Sequence, residues 1–119
     1  MTVCILGNSL TALALAKALV NQEIEVHVYF NKKNYKISDS RTIGISKNNV
    51  DFFNSNIINI QKLLWNLKRI EIFSEHLGKE KLVGFKANEN QLFSIIKNYK
   101  LYRLLEKDLS KNKFFKSKF

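Results

Sequence analysis

Apolar residues fall in blocks along the chain, and the spacing within each block predicts its element. Val3 to Leu6 is a short apolar run, closed by the turn residues Gly7-Asn8-Ser9. From Leu10 to Val20 strong helix formers follow, with Leu10, Leu13 and Ala14 on one face, Lys17 at its edge and Asn21-Gln22 at the end. Ile24, Val26, Val28 and Phe30 then alternate with Glu25, His27 and Tyr29, the period of a half-buried strand. Strand, tight turn, helix and strand in immediate succession predict a βαβ unit with a right-handed crossover.

Beyond it the pattern is less regular. Asn31 to Ser40 is polar and reads as a loop, and Ser46 to Phe53 as a short helix capped by Ser46 or Asn48. Ile57 to Trp65 is apolar-periodic but fits neither template cleanly. Lys68 to Ser74 and Lys81 to Lys86 read as strands, joined by a hairpin-like connection through Glu75-His76-Leu77-Gly78-Lys79-Glu80. Tyr99 to Lys111 predicts an amphipathic helix presenting Leu101, Leu104, Leu105 and Leu109. The last residues, Lys111 to Phe119, read as a helix end running into a strand.

Composition narrows the function classes. The 119 residues suffice for one core, and no apolar run reaches transmembrane length. One cysteine, Cys4, excludes an internal disulfide framework, and two histidines, His27 and His76, argue against a metal cage. No positive charge precedes the first apolar stretch, and Gly7, Asn8, Ser9 and Thr11 interrupt it, so it does not read as a signal peptide. The charge is the outlier: 20 basic against 10 acidic residues, net +10. Nearly all of it is lysine spread evenly, with Arg41, Arg69 and Arg103 the only arginines. A dedicated phosphate reader favours arginine forks, so nucleic acid is not the expected partner. The alternative, a small basic module for nucleic acid or a membrane surface, would use Lys107, Lys111, Lys113, Lys116 and Lys118 interleaved with Phe114, Phe115 and Phe119.

The turn after the first strand carries the candidate chemistry. Gly7-Asn8-Ser9-Leu10-Thr11-Ala12 aligns with the dinucleotide fingerprint G-x-G-x-x-G, with Gly7 retained, Ser9 in place of the second glycine and Ala12 of the third. An ordinary βα turn capped by Ser9 fits the same residues. Cys4 reads as a small buried hydrophobe, Trp65 beside Leu63 and Leu64 as packing, and His27 has no carboxylate at a catalytic spacing. No catalytic residue and no metal ligand is assigned.

Val3 to Leu13 resembles the start of the FAD-dependent aromatic hydroxylases of the para-hydroxybenzoate hydroxylase superfamily, and more closely their ubiquinone-biosynthesis branch. Asp39-Ser40-Arg41-Thr42-Ile43-Gly44-Ile45-Ser46 is similar to that branch's D-x-R-x-x-A-L-S segment, with Gly44 for the usual alanine. Leu64-Trp65 with Ile70-Glu71-Ile72, and Leu92 to Leu105 with Asn98 before its helix, resemble later segments.

The resemblance implies an α/β fold: a Rossmann-like FAD-binding βαβ start followed by the beginning of a substrate-domain sheet. The divisions would be about 1–64, 65–97 and 98–119, cut short of the full family length, with an unpaired sheet edge and no activity in isolation. It implies FAD as cofactor, NAD(P)H as co-substrate, and a prenylated phenol as the small-molecule substrate. A cytoplasmic location touching the inner face of a membrane follows, with other ubiquinone-biosynthesis proteins as partners. Gly7, Asn8, Ser9, Leu10, Thr11 and Ala12 would face the pyrophosphate, and Arg41 the flavin. Phe30 stands where the family's ribose-binding acid is expected, leaving Asn31 as the nearest acceptor.

Overall fold

A computed structural model describes residues 1–31, 40–67, 69–73, 81–86 and 93–118, with backbone only for 69–73 and 81–86. Most of the expected loop after Asn31, the expected 75–80 connection with His76, and Phe119 lie outside these residues. The βαβ unit forms as the spacing predicts: β1 (Thr2–Leu6), α1 (Leu10–Val20) and β2 (Glu25–Tyr29). β1 and β2 pair in parallel, with Cys4 opposite His27. The third strand of this sheet comes from the far end of the chain, β8 (Phe115–Lys118), which pairs in parallel with β2.

Between β2 and β8 the chain makes a second, antiparallel sheet in the order β3-β7-β4, from Thr42–Ser46, Phe93–Lys97 and Trp65–Leu67. Helix α2 (Lys47–Asn56) follows β3, and a single 3₁₀ turn, Gln61–Leu63, precedes β4. β5 (Arg69–Phe73) and β6 (Lys81–Lys86) pair with each other, and α3 (Asn98–Ser110) leads from β7 back to β8. β3 and its pairing to β7 have only a weak local signature. Five residues, one of them glycine, become a strand because a distant segment supplies the hydrogen bonds. At Gly44 an added Cβ would fall on the Phe93 ring, which covers the glycine from the neighbouring strand.

The core lies on one face of the parallel sheet. Val26 and Val28 of β2 are fully buried, in one cluster with residues of α1 and α3. The buried face of α1 is Ala12, Leu13, Ala16 and Val20, rotated from the face the apolar pattern suggests. Two alanines face inward because α1 is wedged between the sheet and α3, where small side chains allow close approach. Lys17, at the edge of the apolar face in the sequence pattern, is largely buried and pairs with Asp108 of α3. α3 buries Leu101, Tyr102, Leu105 and Leu109, a stripe that also takes in a tyrosine.

Without proline, asparagine side chains organise the connections. The Asn21 amide donates to the carbonyls of Asn56 and Ile57, tying the end of α1 to the end of α2. Asn54 accepts from the Ile60 N–H, and Ser46 caps α2 by accepting from Asn49 N. The 3₁₀ turn and β4 resolve the ambiguous stretch before Trp65.

Three sequence expectations need correction. Cys4 is exposed, because the helices cover one face of the sheet and Thr2, Cys4 and Leu6 point to the other. Leu6 is 86% exposed on that face, and the outer edge of β1 has no strand partner among the described residues. Trp65 is 74% exposed rather than packed, since β4 is an edge strand of the antiparallel sheet. His27 does have a carboxylate neighbour: strand alternation places Glu25 beside it, with His27 Nε2 and Glu25 Oε1 3.1 Å apart. Of the aromatic residues expected in the alternative basic module, Phe114 and Phe115 pack against the core, and Phe119 lies outside the described residues.

The hydrogen bond from His27, aided by the charge of Lys116, holds the Glu25 carboxyl below its ordinary range. A carboxylate depressed on folding contributes stability that is full above its unfolded pKa and lost as pH falls through the folded one. The stability difference between the protein and Glu25→Gln is therefore expected to be constant near neutrality and to shrink on acidification below about pH 4.3, the free glutamate value. Urea denaturation at a series of pH values checks this. Glu23, in the α1–β2 turn, has φ +60°, a left-handed conformation that favours glycine. Glu23→Gly is expected to stabilise the fold by about 1 kcal/mol, read as a higher urea midpoint at unchanged slope.

Candidate functional site

The site is built where β1 gives way to α1. Gly7 takes φ +105°, and its N–H donates to the Tyr29 carbonyl at 2.7 Å, fixing the turn to the end of β2. Nothing lies within 4 Å of where a Gly7 Cβ would be, so the backbone angle, not space, demands glycine here. Asn8 follows, and its carbonyl accepts from the Tyr102 hydroxyl at 2.8 Å. That bond joins residues 94 apart in sequence and pins the turn leading into α1 to α3. Tyr102 was absent from the predicted face; its spacing to Leu105 and Leu109 is the signal that could have found it.

Ser9 is the N-cap: its Oγ accepts from Ala12 N at 3.2 Å, and its carbonyl accepts from Leu13 N. The Leu10 and Thr11 N–H groups have no acceptor among the described residues, as first-turn amides of a helix do not. No acidic residue occupies the first turn of α1. The first turn itself therefore supplies no charge to oppose the positive end of the helix dipole, a condition that favours an anion there. Ser9 and Thr11 are exposed, while Ala12 is buried against the core.

Two clefts flank this turn. One, of about 420 Å³, is lined by Leu10, Thr11 and Ala14 of α1, by Ile43–Ile45 of β3 and by Phe52 and Phe53 of α2. The strand that directly follows Arg41 therefore forms a wall facing the first turn of α1. The other, of about 250 Å³, runs between α3 and the sheet, bounded by Asn8, Phe30, Tyr102, Glu106 and Ser117. Phe30 is half-buried there and packs against the core, while Asn31 is exposed just past the end of β2. Arg41 is exposed at the start of β3, and its carbonyl accepts from Asn98 N at 3.0 Å. That bond brings together two segments singled out by the family resemblance.

The residues present fit an anionic dinucleotide in part. The tight turn, the open amides of Leu10 and Thr11 and the missing first-turn acid suit a pyrophosphate. The Ser9 hydroxyl already takes the Ala12 amide, and no carboxylate stands at the end of β2. Among the described residues no group of three or more histidine, cysteine, aspartate or glutamate side chains is placed to hold a metal ion.

No family model matches the sequence. No curated protein matches it at a significant level. Solved structures do. p-Nitrophenol 4-monooxygenase from Pseudomonas putida superposes with a TM-score of 0.76 at 10% identity, over 98% of this chain and 32% of that one. A probable FAD-dependent monooxygenase from Pseudomonas aeruginosa gives 0.74 at 14% identity, over 98% and 32%. A Klebsiella pneumoniae protein complexed with FAD and uric acid gives 0.68 at 18%, over 98% and 30%. The fold is that of the N-terminal part of FAD-dependent monooxygenases. The chain spans about a third of the length of these structures.

The Tyr102–Asn8 bond yields a prediction. Tyr102→Phe keeps the buried ring and removes the donor, and is expected to destabilise the fold by about 1 kcal/mol. Amide exchange at Ser9 and Leu10 should speed up at the same time, because the turn loses its tie to α3. Hydrogen exchange followed by mass spectrometry, beside a urea titration, checks both.

Proposed function

We propose that this chain is the dinucleotide-binding portion of an FAD-dependent monooxygenase of the aromatic-hydroxylase type. The observation that carries the reading is the first turn of α1: a positive-φ glycine, two open amides and no acid, beside the strand that follows Arg41. Bound there, FAD would supply the redox chemistry of an oxygen-inserting enzyme, with NAD(P)H as electron donor. The Leu10 and Thr11 amides would bind the pyrophosphate, Arg41 would add a charged fork, and Asn31 would offer one neutral acceptor to the ribose. The finer reading follows the family resemblance: a prenylated phenol of ubiquinone biosynthesis as substrate, in the cytoplasm beside the inner membrane face. Among the described residues no helix is long and apolar enough to cross a membrane.

The test separates ligand binding from folding. Thr11→Asp adds a negative charge to the exposed first turn of α1, where it favours the helix by about 0.3–1 kcal/mol yet repels a pyrophosphate. Titrating the full chain with FAD, read by quenching of flavin fluorescence, is expected to saturate. Thr11→Asp should weaken that binding at least about tenfold while leaving stability equal or higher. Arg41→Ala should weaken it by about ten- to hundredfold. Absence of saturable binding, or equal affinity in Thr11→Asp, would overturn the reading.

A further inference from the structure

A third cleft, of about 360 Å³, lies on the outer face of the antiparallel sheet. Strand register accounts for its lining. Ile43 and Ile96 turn toward the core, so Thr42 and its partner Lys97, and Trp65 and its partner Ile95, turn the other way. The 3₁₀ turn before β4 adds Lys62, and the first turn of α3 adds Lys100. Three lysines thus line one small cleft, Lys97 with its Nζ also 5.9 Å from the centre of the Tyr99 ring, and among the described residues the lining contains no carboxylate. None of the three has a carboxylate partner among the described residues.

The end of α3 adds to the positive field. Its N-cap is Lys97, which makes no side-chain capping bond, and its first turn holds no acid. Cations at a helix N-terminus oppose the dipole, so the arrangement is unfavourable until an anion joins it. The rest of the lining is apolar, with Leu63, Leu64 and Ile95 beside the exposed indole of Trp65. A bare inorganic anion would satisfy the lysines and leave that surface wet, whereas a neutral ring would do the reverse.

We propose that this cleft is a binding site for a small organic anion with a flat aromatic body, held by Lys62, Lys97 and Lys100 against Trp65. It lies apart from the α1 turn and stands whether or not that turn binds a flavin. Trp65 is the sole tryptophan, so its fluorescence reports the cleft directly. The full chain is titrated at low ionic strength with 4-nitrobenzoate, whose nitroaromatic ring quenches indole, and with its neutral counterpart 4-nitrobenzamide. Saturable quenching is expected with the anion, at least about tenfold tighter than with the amide and weakened by added salt. Lys97→Gln and Lys100→Gln, checked for folding by circular dichroism, should each weaken the anion several-fold. Inorganic phosphate should compete at least about tenfold less well than nitrobenzoate, because it leaves the apolar wall uncovered. Equal affinity for anion and amide, equal competition by phosphate, or wild-type affinity in both lysine variants would overturn the proposal. Tighter binding of single-stranded oligouridylate than of nitrobenzoate would also overturn it, assigning the cleft to nucleic acid.

Discussion

Two helices from opposite ends of the chain pack against each other in the core over one strand, and the rest of the architecture depends on that contact. Val26 and Val28 are fully buried in one cluster with residues of α1 and α3, which pack on each other. Burying a valine contributes roughly 1.5–3 kcal/mol, so the two valines alone supply a sizeable share of a small domain's margin. Because α3 must reach this face, everything between β2 and β8 is an excursion that has to return. The antiparallel sheet provides the return path, delivering β7 directly into α3.

The same contact organises the candidate site. α3 reaches over the βα turn through the Tyr102 hydroxyl on the Asn8 carbonyl, and its first residue bonds the Arg41 carbonyl. A single helix therefore fixes both the dinucleotide-like turn and the start of the strand that walls the neighbouring cleft. Lys17 and Asp108 add a partly buried ion pair between the two helices. Truncating either partner would leave the other charge with a desolvation cost, which specifies how the helices align more than it stabilises the pair.

The lysine excess is placed in different ways by the fold. Lys113 and Lys118 lie over the rings of Phe114 and Tyr29, and Lys116 is drawn to Glu25. Those side chains are already occupied, and the phenylalanines between them belong to the core. Lys62, Lys97 and Lys100 line one cleft with no carboxylate partner among the described residues, Lys97 also lying near the ring of Tyr99. A compositional bias that looks uniform along the chain is thus uneven in space.

Local pattern determined the βαβ unit, the boundaries of β6, and the existence of α2 and α3, because alternation and helical spacing are short-range signals. Gly7 as a turn residue and Ser9 as a cap were also legible, since each depends only on its immediate neighbours. Tertiary structure decided the rest. The strand character of Thr42–Ser46 comes from hydrogen bonds to β7, and the burial of Ala12 and Ala16 from the closeness of α3. Cys4 and Trp65 show the limit most plainly. Each sits in a pattern that reads as buried, but burial requires a covering layer, and the helices lie on one face of the parallel sheet while β4 stands at an edge. A sequence records which residues favour leaving water; only the packing of distant segments decides which of them are covered.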